Sequence, residues 1–275
     1  MNDPRAALEA IGQLPDAEID IADAALQLGR VDAPDADWQA ARERLSDLAR
    51  DAVATAADVP RGDLSARAGA LAGLIAGRHG YAGDTDSYDD PANANLIRVT
   101  ERKLGLPVSL GILWLHAARA AGWAAHGVDF PGHFLIAIQG KTEKVVLDVF
   151  DGGTPLAAKD LRALIKRVEG QKAELRPAVL QPMGTREVLL RLQNNIKIRR
   201  LCDNQLTEAL ACAEDMLRIA PDYVALWRET ALINQRLDRV AAALRCFERF
   251  LNLVPQGEAA SRARSAMDDL RSRLN

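Results

Sequence analysis

The chain has 275 residues, 48% of them hydrophobic and 27% charged, enough for one large domain or two modest ones and too apolar for a disordered or fibrous class. Aromatics make up only 4%, and the abundance of Ala and Leu favours helices. The net charge of -3 is uneven, with 5 basic and 13 acidic groups in residues 1–60, and no segment carries the concentrated basic face of a nucleic-acid binder.

At the start, Met1-Asn2-Asp3-Pro4-Arg5 lacks the basic and apolar regions of a signal peptide. No apolar run reaches the ~20 residues of a membrane helix, so a cytoplasmic protein without a membrane partner is expected. Three helical patterns follow in the acidic N-terminal stretch. The first starts at Pro15-Asp16-Ala17-Glu18, shows Ile19, Ala22 and Leu26, and ends at Gly29. The second runs from about Trp38 through Leu45, Leu48, Ala52 and Ala56, and the third from Leu64 through Leu71 and Ile75 to Gly80. The polar loop Asp84–Asp90 begins like a calcium loop. It puts Tyr88, Asp89 and Asn95 where a ligand, glycine and glutamate belong, so calcium by that motif is excluded.

Asp90-Pro91 is an N-cap followed by proline, opening a helix through Leu96, Val99 and Thr100 that stops near Gly105. Pro107 opens another, with Leu110, Leu113, Trp114 and Ala117 at helical spacing, closed by Gly122. The period then changes. His126–Phe130, His133–Ile138 and Val145–Val149 are short and rich in β-branched or aromatic residues, and Gln139-Gly140-Lys141 turns the last two into a hairpin. The fold class is therefore α+β, with a helix packed on a small antiparallel sheet. A helix around Leu161, Leu164 and Ile165 precedes a boundary in 176–184.

The last third repeats. A shift of 34 residues superposes Ala209 on Ala243, Leu210 on Leu244, Cys212 on Cys246, Glu214 on Glu248, Leu217 on Leu251 and Pro221 on Pro255. That period with a closing proline is the tetratricopeptide spacing of paired helices. Two units are fewer than the ~3 that stand alone, so the array is expected to lean on the preceding domain. The organisation expected is thus 1–60 helical, 61–183 an α+β core, and 184–275 helical hairpins.

Among four histidines, His79, His116 and His126 read as surface or satisfied residues. His133 begins a strand after Pro131-Gly132. A turn near Gly140 pairs residues whose numbers sum to about 280, which puts Asp148 nearly across from it. An Asp accepting from an imidazole fixes its tautomer, the orienting role in a nucleophilic triad, although a plain strand-edge pair needs the same residues. A nucleophile would belong at a helix N-terminus, and Gly105-Leu106-Pro107-Val108-Ser109-Leu110 supplies one with Ser109 at it, where serine also serves as a cap.

Asn93-Ala94-Asn95-Leu96, Arg102-Lys103-Leu104-Gly105-Leu106-Pro107-Val108-Ser109-Leu110, Gly127-Val128-Asp129-Phe130-Pro131-Gly132-His133-Phe134-Leu135 and Leu147-Asp148-Val149-Phe150-Asp151-Gly152-Gly153 resemble the SirB1 family. That family is the bacterial branch of the transglutaminase-like superfamily and is often followed by tetratricopeptide-type helices. The resemblance spans about Ala66 to Leu161. It implies a papain-like core with a cysteine at the start of the central helix, then histidine and aspartate on successive strands. His133 and Asp148 match the last two places. Ser109, or a position within a residue or two, stands where the cysteine would be, and residues 1–201 contain no cysteine.

A helix terminus and an imidazolium can pull a thiol to thiolate, whereas a serine hydroxyl needs a base at the instant of attack. The inherited cysteine mechanism is absent. The expectation is a non-catalytic, regulatory type of transglutaminase-like protein that binds a protein or peptide through its cleft or its repeats. The alternative is a serine-dependent hydrolase or acyl transferase using Ser109, His133 and Asp148. No phosphate loop or metal cluster appears, so neither cofactor nor metal is expected. The basic run Lys197-Ile198-Arg199-Arg200 reads as a solvated helix face.

Overall fold

The structure is a computed structural model and describes residues 3–272. The chain forms two compact units, one of Pro15–Leu192 and one that joins the residues up to Leu14 to those from Gln193 onward. The N-terminal stretch 1–60 therefore contributes to both.

Helix α1 is Pro4–Gly12, capped by Asp3. Asp16–Glu18 form only a 3-10 turn, and the helix expected from Pro15 starts later, as α2 over Ile21–Asp32. The reason is a division of labour between two carboxylates. Asp20 accepts from the N–H groups of Ala22 and Asp23 and caps α2, while Asp16 accepts from those of Thr185 and Arg186, at 2.7 and 2.8 Å. Nor does Gly29 end α2. It lies inside the helix, where a Cβ would come within 2.9 Å of Asn95 Oδ1, so glycine there permits close packing rather than termination.

Helices α3 (Trp38–Ala56) and α4 (Leu64–Ala72) keep the expected places, and α4 runs on as a π-helical turn over Gly73–Arg78. Strand β1 (Ala82–Gly83) pairs in parallel with β2 (Leu104–Gly105). Between them the single helix expected from Pro91 is two pieces. Asp90 caps a 3-10 turn over Pro91–Ala94, then the Asn95 side chain caps α5 over Leu96–Arg102.

Helix α6, Pro107–Ala120, is the central helix, buried from Pro107 to Leu115 and again at Ala117 and Ala118. Burial of each large apolar side chain, such as Leu110, Ile112, Leu113 and Trp114, contributes about 1.5–3 kcal/mol. Strands β3 (Ala125–Phe130), β4 (His133–Gln139), β5 (Lys144–Asp148), β6 (Thr154–Pro155) and β7 (Pro182–Met183) form one antiparallel sheet in the order β6-β5-β4-β3-β7. On one face, Phe134 lies against Gly111 of α6, where a Cβ would meet its ring at 2.2 Å. On the other, Val128, Phe130, Leu135, Ala137 and Val146 cluster with Leu161 and Ile165 of α7 (Ala158–Glu169).

Helices α8 (Thr185–Cys202), α9 (Leu206–Ile219), α10 (Val224–Arg236), α11 (Val240–Leu253) and α12 (Glu258–Ser272) complete the chain. The 34-residue repeat is visible as α9 and α11, with Ala209 and Ala243 both fully buried. The outside support that two repeats need comes, within this unit, from α1. Its Leu8 is fully buried, Arg5 pairs with buried Asp215 at 3.1 Å, and Gly12 sits so close to α9 that a Cβ would lie 2.0 Å from the carbonyl oxygen of Arg218.

Candidate functional site

His133 and Asp148 meet. His133 Nε2 lies 2.9 Å from Asp148 Oδ2, with both side chains mostly buried. The hairpin register differs from the expected one, because the turn is longer. Gly140 N–H donates to Glu143 O at 2.8 Å, and the pairs run Ile136 with Leu147 and Gln139 with Lys144, so partner numbers sum to 283. Asp148 thus stands opposite Leu135 and reaches His133 diagonally along one face of the sheet, a distance that long side chains span.

Asp148 also organises the turn after β5. Its Oδ1 accepts from the N–H groups of Phe150 and Asp151, at 3.0 and 3.4 Å. Burial pushes the carboxyl up, but the His133 hydrogen bond, the His133 charge and those N–H groups outweigh it and hold its pKa below the ordinary carboxylate value. The backbone of His133 is fixed as well. Arg191 on α8 donates to its carbonyl oxygen at 2.9 Å and pairs with Asp129.

Ser109 is placed differently. It is the third residue of α6, has no exposed surface, and donates its hydroxyl toward the carbonyl oxygens of Asn93 at 2.7 Å and Leu106 at 3.0 Å. It is therefore not the N-cap, a position taken by Leu106, and Pro107 occupies the first turn ahead of it. Among the described residues no hydrogen bond joins Ser109 to His133. By the alternation of β4, His133 also shares the Leu135–Ala137 face packed on α7, whereas Phe134 faces α6.

What holds Ser109 is a polar network centred on Asn93, a residue with no exposed surface. Its amide donates to Asp84 Oδ2 and to Ser87 O, its side-chain oxygen accepts from Arg102, and its carbonyl accepts from Leu106 N–H as well as from Ser109. Arg102 further pairs with Asp84 and Asp90. The Asp84 carboxyl is held below its usual pKa by the Ser87 N–H, which with Asn93 and Arg102 outweighs burial. The loop tested for calcium is thus closed on an arginine and an asparagine, and no group of three or more candidate metal ligands exists among the described residues. Sequence reasoning missed this network because its members are ordinary loop and helix polar residues; only the fold brings Asp84 to Asn93 and Arg102.

Of the other histidines, His79 bonds Asp51 and His116 meets Leu45 O. The buried Nε2 of His126 has no hydrogen-bond partner, contrary to expectation, and burial pushes its pKa down, with nearby Lys144 adding to the effect. The basic run at Lys197 is likewise not a solvated face. Lys197 is buried and paired with Glu229, and Ile198 is the exposed member. Among the described residues no helix is long and apolar enough to cross a membrane.

Comparison with known proteins gives consistent matches. Residues 39–194 match the transglutaminase-like superfamily model and residues 196–268 a tetratricopeptide repeat model. A UPF0162 protein of Xylella fastidiosa is 33% identical over 194 residues, covering 70% of this chain and 69% of its own. A UPF0162 protein of Vibrio cholerae is 28% identical over 253 residues, covering 92% and 93%. Among solved structures, that of menin, described as revealing the binding site for Mixed Lineage Leukemia protein, has a TM-score of 0.44 at 11% identity, covering 90% of this chain and 70% of that one.

Proposed function

The chain belongs to the transglutaminase-like superfamily, among the SirB1-like UPF0162 proteins, and on that premise we propose that it works by binding a protein or peptide segment rather than by acyl transfer. The observation that carries this reading is the commitment of Ser109. Its hydroxyl is buried and gives its proton to main-chain carbonyls, which cannot act as a base. A serine attacks while a base within about 2.6–3.2 Å, or one reached through a single water, takes that proton. Here the hydroxyl fastens the start of α6 to the loop before α5. The His133–Asp148 pair then serves to brace β4 against β5, with Asp148 also closing the turn that follows. Helical repeats, in turn, present extended surfaces suited to polypeptide ligands, which supports the binding role by fold analogy.

A second reading, the serine hydrolase, is favoured by one observation, the 2.9 Å contact between His133 and Asp148 with its orienting geometry. A fluorophosphonate probe separates the two. Native protein is expected to label no more than its Ser109→Ala and His133→Ala variants. Labelling of the native protein that disappears in both variants would overturn the binding-only reading and establish an activated serine.

A further inference from the structure

The exposed residue of the basic run has a counterpart one repeat later. Ile198 on α8 and Leu232 on α10 lie 34 residues apart and are 49% and 46% exposed; the next step, Ala266 on α12, is half-buried. A single exposed aliphatic residue is ordinary, but two at the same step of successive repeats make a row. The row is held together beneath. Lys197 pairs with Glu229 between α8 and α10, and Ala231 of α10 shares an apolar cluster with Ala263 and Met267 of α12.

The row is flanked by arginines. On α10, Arg228 and Arg236 stand four residues before and after Leu232 on the same helix face; both are exposed, and among the described residues neither makes a hydrogen bond or ion pair. Arg228 recurs 34 residues on as Arg262, whose one partner is Glu258 in an exposed i,i+4 pair of little strength. Of the acidic groups on this face, Glu229 is engaged by Lys197, Glu258 by Arg262, and Asp269 stands at the far end, on the last turns of α12. The face therefore offers aliphatic contacts and unpaired guanidinium groups, with its central carboxylate already taken.

We propose that this face binds an acidic, extended polypeptide segment carrying an aliphatic side chain at every third residue. The inference rests on the reading that the protein acts by binding a polypeptide, and it names the chemistry of that ligand. A polyproline-type chain rises about 3.1 Å per residue and returns a side chain to the same side every third residue, so one side of it can meet the aliphatic row. Between those contacts, carboxylates meet Arg228, Arg236 and Arg262, whose planar forks match a carboxylate in two-point fashion.

The test is fluorescence anisotropy of labelled peptides with the full chain. One peptide has leucine at every third position with Asp or Glu between; the others replace the acids by Gln and Ser, replace them by Lys, or replace the leucines by Ser. The acidic leucine peptide is expected to bind, at least about tenfold more tightly than each of the others, and to weaken as salt is raised. Leu232→Asp and the double variant Arg228→Glu/Arg236→Glu are expected to weaken it by a similar factor, and the double variant to gain the lysine peptide. Equal binding of the acidic, neutral and lysine peptides, lost in Leu232→Asp, would overturn the acidic ligand and leave the binding reading standing. Binding of none of the four overturns the inference. Serine labelling by the fluorophosphonate would overturn the underlying reading independently.

Discussion

Replacement of Asp148 tests the role given to the His133 pair. Asp148→Asn keeps the side-chain oxygen that accepts from Phe150 and Asp151, and it can still bond the imidazole in the tautomer that leaves Nε2 free to accept. What is lost is the charge. Hydrogen bonds to charged groups contribute about 1.5–3 kcal/mol and neutral ones about 0.5–1.5, so the asparagine variant is expected to lose about 1 kcal/mol. Asp148→Ala removes the His133 bond and both turn bonds and is expected to lose about 3 kcal/mol. Because the folded pKa of Asp148 lies below its unfolded value, its contribution is present above the ordinary carboxylate pKa of about 3.9 and is lost as pH falls through the lower, folded value. The gap between native protein and the asparagine variant should therefore hold at neutral pH and shrink only below about pH 4. Urea unfolding followed by tryptophan fluorescence reports it, since Trp38, Trp114 and Trp123 all lie in the 15–192 unit. No gap at neutral pH, or a gap unchanged in strong acid, would refute the pairing argument.

Further outcomes concern the network and the N-terminal helix. Ser109→Ala should cost about 1 kcal/mol, because the Asn93 and Leu106 carbonyls keep the N–H groups of Leu106 and Leu110 as partners; calorimetry reads this as a melting shift of a few degrees. Asn93→Ala should cost several-fold more in the same measurement, since it leaves the buried Asp84 and Arg102 side chains short of a partner. A smaller loss than for Ser109→Ala would contradict the network. Gly12→Ala forces a methyl against the Arg218 carbonyl and should cost about 1–3 kcal/mol or detach α1, seen as faster proteolysis within residues 3–14. Unchanged proteolysis and stability would show that α1 does not support α9.

The α+β class, the central helix from Pro107 and the tetratricopeptide pairs were legible because each rests on a period: helical spacing in Leu110–Ala117, alternation in His133–Ile138, and the 34-residue shift. Features decided by distant partners were not. Asp16 looks like a local helix start, yet its carboxylate caps a helix 169 positions along the chain. Gly29 looks like a helix end, yet Asn95 and Ile97 press on it from α5. The His133–Asp148 meeting could be anticipated from a hairpin even with its register off by three, because both residues stay on one face. The orientation of Ser109 could not, since a helix-start serine can cap, attack or donate inward with the same sequence around it. Lys197 shows the converse failure, where a basic run hides a buried lysine and exposes its isoleucine.

The side chain at position 109 is read as a buried fastener bonded to main-chain carbonyls rather than to His133, and restoring a thiol there tests this most directly. Ser109→Cys, made in a Cys202→Ser background to remove the exposed native thiol, is treated with iodoacetamide, and modification at position 109 is followed by peptide mass mapping. The structure leads to no modification of the native protein over a time that fully alkylates the urea-unfolded chain, with or without His133→Ala. Rapid alkylation of the native variant, slowed by His133→Ala, would place position 109 beside the imidazole and contradict the account.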